Sequence, residues 1–222
     1  MLEPEPARLA ADKLIAAIAK RDGHVSTGMV TTHLLLPTLS KIGRTDAAYR
    51  LLAKTTCPSW GYFLKMGATS MWERWDAKTE AGFNGGEMNS YNHGNLGTCT
   101  EWFYRSVLGI APSEPGFGKL LLKPEPGGNL SWAKGYYDSP HGRIDSSWKI
   151  DGRKFSWEIQ IPANTTATVH VPAEDVSGVT ESGQPVGDVA GIKFLRSERS
   201  TAVFALGSGS YHFQSSLPIS SK

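Results

Sequence analysis

Cysteine is scarce in this 222-residue chain, with Cys57 and Cys99 the two it has. Each stands alone in its segment with no second sulfur at CxxC spacing, which excludes a zinc knuckle and a disulfide framework. Two reduced, partly buried thiols are expected instead. Long apolar runs are also missing: nothing approaches the roughly 18 residues of a membrane span. Met1-Leu2-Glu3-Pro4-Glu5-Pro6 lacks the basic and apolar regions of a signal peptide, so a soluble protein is the expectation, with the native compartment left open and the cytoplasm favoured. Charge of one sign is absent too, since 23 basic and 21 acidic residues leave a formal charge of +2 with no cationic run. Nucleic acid and membrane surfaces are therefore poor partners. His24 and His33 lie nine positions apart, too far for an i, i+4 metal pair, and no third ligand accompanies them, so neither a metal nor a cofactor is expected. No internal repeat or low-complexity tract is present. The length suffices to bury a core without staples.

What is present divides into two patterns. Ala7 to Lys20 carries Leu9, Leu14, Ile15, Ile18 and Ala19 at three- and four-residue spacing and stops at Asp22-Gly23, which predicts an amphipathic helix. A second helix is predicted over Gly28 to Ile42, capped by Ser26 or Thr27, with Leu34, Leu35, Leu36 and Leu39 facing a core and Pro37 forcing a kink or a restart. A third begins at Thr45 or Asp46 and closes before Cys57-Pro58. Helix, short glycine turn, helix is an antiparallel hairpin pattern. Trp60 to Gly97 reads as irregular, rich in Gly, Asn and aromatics. Periodicity returns over Cys99 to Leu108, with Trp102, Phe103 and Val107 on one buried face.

After Gly109-Ile110-Ala111-Pro112 the pattern changes. Leu120–Leu122, Gly135–Tyr137, Arg143–Ile150, Lys154–Ile161, Thr166–Val171, Ile192–Leu195 and Thr201–Gly207 are short β-branched and aromatic runs separated by turn signals. They predict an antiparallel β-sandwich, with Asp151-Gly152 as the clearest hairpin. The domain boundary is expected near Pro112 to Pro115, giving residues 1–112 and 113–222. Asn129-Leu130-Ser131 and Asn164-Thr165-Thr166 read as turns, and His141, His170 and His212 as structural. Trp132, Tyr136, Tyr137, Trp148 and Trp157 form either a carbohydrate-binding face or core and cross-strand pairs.

The densest chemistry lies in Gly67-Ala68-Thr69-Ser70-Met71-Trp72-Glu73-Arg74-Trp75-Asp76 and in Met88-Asn89-Ser90-Tyr91-Asn92-His93-Gly94. Sugars present apolar C–H faces and many hydroxyls, so their sites combine aromatic platforms with carboxylates, Asn and His. A Glu lodged between tryptophans is desolvated, which favours its neutral form, although Arg74 offsets this. Such tuning suits an acid or base acting near neutral pH. The alternative is a structural Glu73–Arg74 ion pair in an aromatic corner, with His93 structural.

These two strings, with His24-Val25-Ser26-Thr27-Gly28 and Gly43-Arg44-Thr45-Asp46-Ala47-Ala48-Tyr49-Arg50-Leu51-Leu52 upstream, resemble bacterial α-L-rhamnosidases of the six-hairpin type. The resemblance runs through the Gly109-Ile110-Ala111-Pro112 exit into the strands. It implies a partial α/α six-hairpin barrel followed by an antiparallel β-sandwich, and inverting hydrolysis of terminal α-L-rhamnosides. That reaction needs two carboxyl groups about 6.5–9.5 Å apart, one to protonate the leaving oxygen and one to activate water. By the same resemblance Glu73 is the general base, and Trp72, Trp75 and His93 contact rhamnose. Trp60 and Asn92 complete the expected substrate contacts. The family's general acid belongs to an acidic cluster upstream of anything in this sequence, so the chain alone is expected to be weakly active or inactive. One departure stands out: Gly94-Asn95-Leu96-Gly97 follows His93 where the family more often places an aromatic and small residues. The expected partner is a rhamnose-containing glycoside, with self-association through the exposed half-barrel. The competing expectation is a carbohydrate-binding or structural remnant without turnover.

Overall fold

The computed structural model describes residues 4–85 and 89–218. The chain forms two compact units, Met1–Trp102 and Phe103–Lys222. The first is helical. Its elements are α1 (Pro4–Lys20), α2 (Met29–Lys41), α3 (Thr45–Ala53), α4 (Trp60–Lys65), a two-stranded ribbon of β1 (Lys78–Thr79) and β2 (Gly82–Phe83), and α5 (Cys99–Trp102).

Three of these helices end in the same way, and the sequence shows why. After α1, the N–H groups of Gly23 and Asp22 reach back to the Ile18 and Ala19 carbonyls. Asp22 takes the left-handed conformation there, at φ 53°. After α2 and α4 the equivalent pairs are Arg44 to Leu39 with Gly43 to Ser40, and Ala68 to Phe63 with Gly67 to Leu64. Gly43 and Gly67 take the left-handed position at φ 74° and 75°. The paired back-bonds satisfy carbonyls that the helix leaves without partners.

Helix α2 differs from expectation in three respects. Gly28 is its N-cap and no side chain caps it, so neither Ser26 nor Thr27 serves that role. The helix runs through Pro37 without restarting. Leu35, Leu36 and Leu39 are buried but Leu34 is 54% exposed, because it falls off the stripe that Thr32, Leu35 and Leu39 define. The Cys99–Leu108 segment also departs from a plain helix: α5 passes into a π-helical turn, Phe103–Val107. The extra residue per turn rotates Phe103 to 40% exposure while Trp102 and Val107 stay buried.

The second unit is a β-sandwich. Its six-stranded sheet runs β10 (Gln184–Pro185), β9 (Thr180–Glu181), β13 (Gly209–Ser216), β7 (Lys154–Ile161), β6 (Gly142–Asp151), β5 (Trp132–Ser139). The five-stranded sheet runs β11 (Lys193–Ser197), β12 (Thr201–Leu206), β8 (Thr166–Pro172), β4 (Lys119–Leu122), β3 (Ile110–Pro112). Pairing is antiparallel except between β4 and β8, which run parallel. Strand β3, in the segment read as the exit from the helices, already pairs with β4.

The core is aromatic. Trp148, Phe155, Trp157, Phe204 and Phe213 are at most 1% exposed, and Phe204 of one sheet stacks on Phe213 of the other at 6.1 Å. Trp148 and Trp157 are therefore core residues. The Asp151-Gly152 hairpin forms, with Asp151 paired to Lys154, which leaves Gly152 and Arg153 as the turn and Gly152 at φ 60°. Asn164 adopts a left-handed turn conformation at φ 58°, and the glycine-rich segment at 207–209 opens directly into β13, a strand the sequence pattern did not reveal.

Candidate functional site

The loops between α4 and α5 rest on four aromatic rings. Ser59 caps α4, its hydroxyl accepting from Tyr62 N–H at 3.0 Å. This sets Trp60 and Phe63 on the inward face, at 7% and 3% exposure. Phe63 packs 4.9 Å from Trp72 and 5.3 Å from Trp75, and Trp60 meets Trp75 edge-on at 5.1 Å. Indole N–H groups fix the orientation: Trp60 donates to the Leu96 carbonyl at 2.7 Å and Trp75 to the Thr27 carbonyl at 2.9 Å.

Upon this floor lie the two strings singled out in the sequence. Glu73 N–H donates to the Ser90 carbonyl at 2.9 Å and His93 N–H to the Met71 carbonyl at 2.7 Å. Ser90 N–H returns a bond to Glu73 Oε2 at 2.7 Å, and Ser70 Oγ donates to the Tyr91 carbonyl at 2.6 Å. Residues 70–73 and 90–93 thus run side by side, which places the half-buried Glu73 and the His93 loop in one local structure. A carboxylate with one oxygen held by a backbone N–H keeps lone pairs that can orient a water molecule or a sugar hydroxyl.

Arg74 does not pair with Glu73. Its guanidinium grips Asp76 with two bonds of 3.1 Å, so the ion-pair alternative is replaced by an Arg74–Asp76 pair. His93 Nδ1 accepts a long bond from Asn95 N–H, 3.4 Å, which favours the tautomer protonated on Nε2. The Gly94-Asn95-Leu96-Gly97 departure forms a 3-10 turn, Gly94–Thr98, whose Leu96 is fully buried and supplies the Trp60 acceptor.

The expected sugar contacts therefore divide. Trp60 and Trp72 are buried, at 7% and 3% exposure, Trp60 edge-on to Trp75 and Trp72 against Phe63 and Phe83. Trp75 is half-buried, His93 is half-buried and Asn92 is exposed. Met88, the first residue of the second string, lies outside the described residues. The sequence reading missed Ser90 as the tether of Glu73. It also missed an exposed aromatic pair, Phe83 and Tyr91, 4.6 Å apart and 58% and 36% exposed. Only Tyr91's place within the second string hinted at this pair. Among the described residues no group of three or more His, Cys, Asp or Glu side chains could hold a metal. Cys57 and Cys99 are free, and burial raises both thiols above their ordinary pKa.

Residues 1–107 match the bacterial alpha-L-rhamnosidase 6 hairpin glycosidase domain, and residues 109–185 match the bacterial alpha-L-rhamnosidase C-terminal domain. The chain belongs to the bacterial α-L-rhamnosidase family. An alpha-L-rhamnosidase of Streptomyces avermitilis is 41% identical over 207 residues, which is 93% of this chain and 19% of that protein. One from Formosa agariphila is 33% identical over 96% of this chain and 23% of its own length. The crystal structure of the Streptomyces avermitilis alpha-L-rhamnosidase complexed with L-rhamnose superposes with a TM-score of 0.86, covering 92% of this chain and 19% of that one. The native enzyme of Aspergillus terreus gives 0.82 at 32% identity, covering 96% of this chain and 22% of that one. This rhamnosidase-family chain spans about a fifth of the length of the curated relatives it matches. Its architecture is part of an α/α six-hairpin barrel followed by a β-sandwich. No helix among the described residues is long and apolar enough to cross a membrane.

Proposed function

We propose that this chain contributes the general-base side of an inverting α-L-rhamnosidase active site. Glu73 activates the water, and Trp75, His93 and Asn92 contact the sugar. The observation that carries this reading is the ladder between 70–73 and 90–93, which holds Glu73 through Ser90 within the same loop pair as His93. The relative crystallised with L-rhamnose, at 41% identity, supports rhamnose as the substrate sugar. Inversion requires a second carboxyl on the other side of the scissile bond, which the family resemblance assigns to barrel residues outside this sequence.

The test is a chimera in which this chain replaces the corresponding segment of the Streptomyces avermitilis enzyme, assayed on p-nitrophenyl α-L-rhamnopyranoside. Loss of a general base lowers kcat by about 100- to 10,000-fold, so Glu73→Gln should remove most of the turnover. The first product should be the anomer of inverted configuration by proton NMR. A chimera that keeps its kcat with Glu73→Gln sinks the assignment.

Self-association is also proposed for the chain alone. Leu9, Val30, Leu34 and Leu64, all on helices of the first unit, are 54–76% exposed, and apolar surface left open to water drives association. A clean monomer by sedimentation velocity would count against it.

A further inference from the structure

We propose that the outer face of the six-stranded sheet is a second, non-catalytic carbohydrate site that takes a neutral oligosaccharide. Strand alternation sends Trp148, Phe155, Trp157 and Phe213 inward and leaves the opposite face polar. The cross-strand register aligns Lys134 with Ser147, Glu158 and His212 in one row, and Tyr136 with Asp145, Gln160 and Ser210 in the next. Apart from Tyr136, these two rows line an open cavity of about 650 Å³, inside the ~300–1,000 Å³ range of small-molecule sites.

Lys134 and Glu158 sit two strands apart, about 9.5 Å between backbones, with the small Ser147 between them. Among the described residues, the side chains of Lys134, Glu158 and Gln160 make no hydrogen bond or ion pair. Other members are pre-ordered. Arg143 lies 3.5 Å over the Tyr136 ring and bonds Asp145 at 3.1 Å. His212 Nε2 shares a 2.8 Å bond with Ser156 Oγ.

The formal charges of Lys134 and Arg143 balance those of Asp145 and Glu158, so nothing here selects a phosphate or a polyanion. Free ammonium, carboxylate, amide and hydroxyl groups spread over a shallow floor match the alternating donors and acceptors of sugar hydroxyls. Trp132, 64% exposed on the same face of β5, offers a ring for stacking a C–H face. Of the five aromatics weighed in the sequence, only Trp132 and Tyr136 share this outer face.

The experiment is a backbone-amide NMR titration of the whole 222-residue chain. Maltotriose, cellotriose, mannotriose, xylotriose and L-rhamnose serve as neutral probes, with trigalacturonate as the anionic one. At least one neutral trisaccharide should shift amides of residues 134–147, 158–160 and 210–212, apart from any rhamnose-induced shifts at 70–93. Glu158→Gln and Trp132→Ala, both surface substitutions, should each weaken that binding about tenfold while preserving the spectrum elsewhere. Shifts on this face with trigalacturonate alone, or with no probe, overturn the proposal, as does unchanged affinity in both variants.

Discussion

Gly61 gives a prediction whose sign opposes the usual rule. It lies in the second position of α4, the helix that sets Trp60 and Phe63 beneath Glu73. Glycine inside a helix normally costs roughly 0.5–1 kcal/mol relative to alanine, so Gly61→Ala would ordinarily stabilise. Here a Cβ would lie 2.2 Å from the Lys54 carbonyl oxygen and 3.1 Å from its carbon, against an ordinary contact of about 3.5 Å. The obstacle is backbone, which cannot rotate aside, so α4 must move away from the end of α3. Overpacking of this kind costs about 1–3 kcal/mol. Hydrogen exchange of the 222-residue chain, read on peptides covering 45–66, avoids assuming that both units unfold together. Exchange should quicken about 5- to 150-fold relative to the parent chain. Gly97→Ala, whose Cβ meets only the Met71 side chain at 3.7 Å or beyond, should leave exchange there unchanged. Equal or slower exchange in Gly61→Ala would refute the close approach of α4 to Lys54.

Other expectations follow from burial and charge. Phe213 is fully buried between Trp157 and Phe204, so Phe213→Ala should cost the sandwich about 3–5 kcal/mol, seen as a lowered melting transition in calorimetry. The bond from Arg44, helped by Arg50, holds Asp46 at a pKa of about 2 against an ordinary 3.8. Its stabilising effect is present above pH 3.8 and lost as the pH falls toward about 2. With Asp46 half exposed to solvent, Asp46→Asn should cost under about 1 kcal/mol at neutral pH and nothing at the acid end, by denaturant titration. Burial, reinforced by Lys123, holds His170 below its ordinary pKa of 6.5. The unfolded chain therefore takes the proton first, and the sandwich should lose stability as the pH falls through 6.5. His170→Leu should flatten that part of the profile in melting experiments.

Much of the fold was legible because the signals were local. Helix periodicity, the stops at Asp22-Gly23 and Gly43, and the strand runs of β6, β7 and β8 need only a few neighbouring residues to express themselves. Strand β13 escaped because Gly209-Ser210-Tyr211-His212 carries a turn signal at its start and a polar outer face; eight register partners on β7 make it a strand. The parallel pairing of β4 with β8 was hidden for the same reason, since pairing partners distant in sequence leave no local mark. Phe103 was misplaced because a π turn shifts the helical phase without a sequence signal.

The site divides along the same line. Sequence by itself singled out the two strings that carry Glu73 and His93, since residue type and motif order carry that information. It also fixed the helical and β-rich halves, through periods of hydrophobicity that any local window reveals. Tertiary structure alone decided that Arg74 turns to Asp76, that Ser90 holds Glu73, and that Trp60 and Trp72 become a floor while Trp75 stays half open. It likewise sorted Trp132 and Tyr136 outward from Trp148 and Trp157. Burial and partnership depend on which segments meet across the fold, and that is settled by packing rather than by any residue's neighbours along the chain.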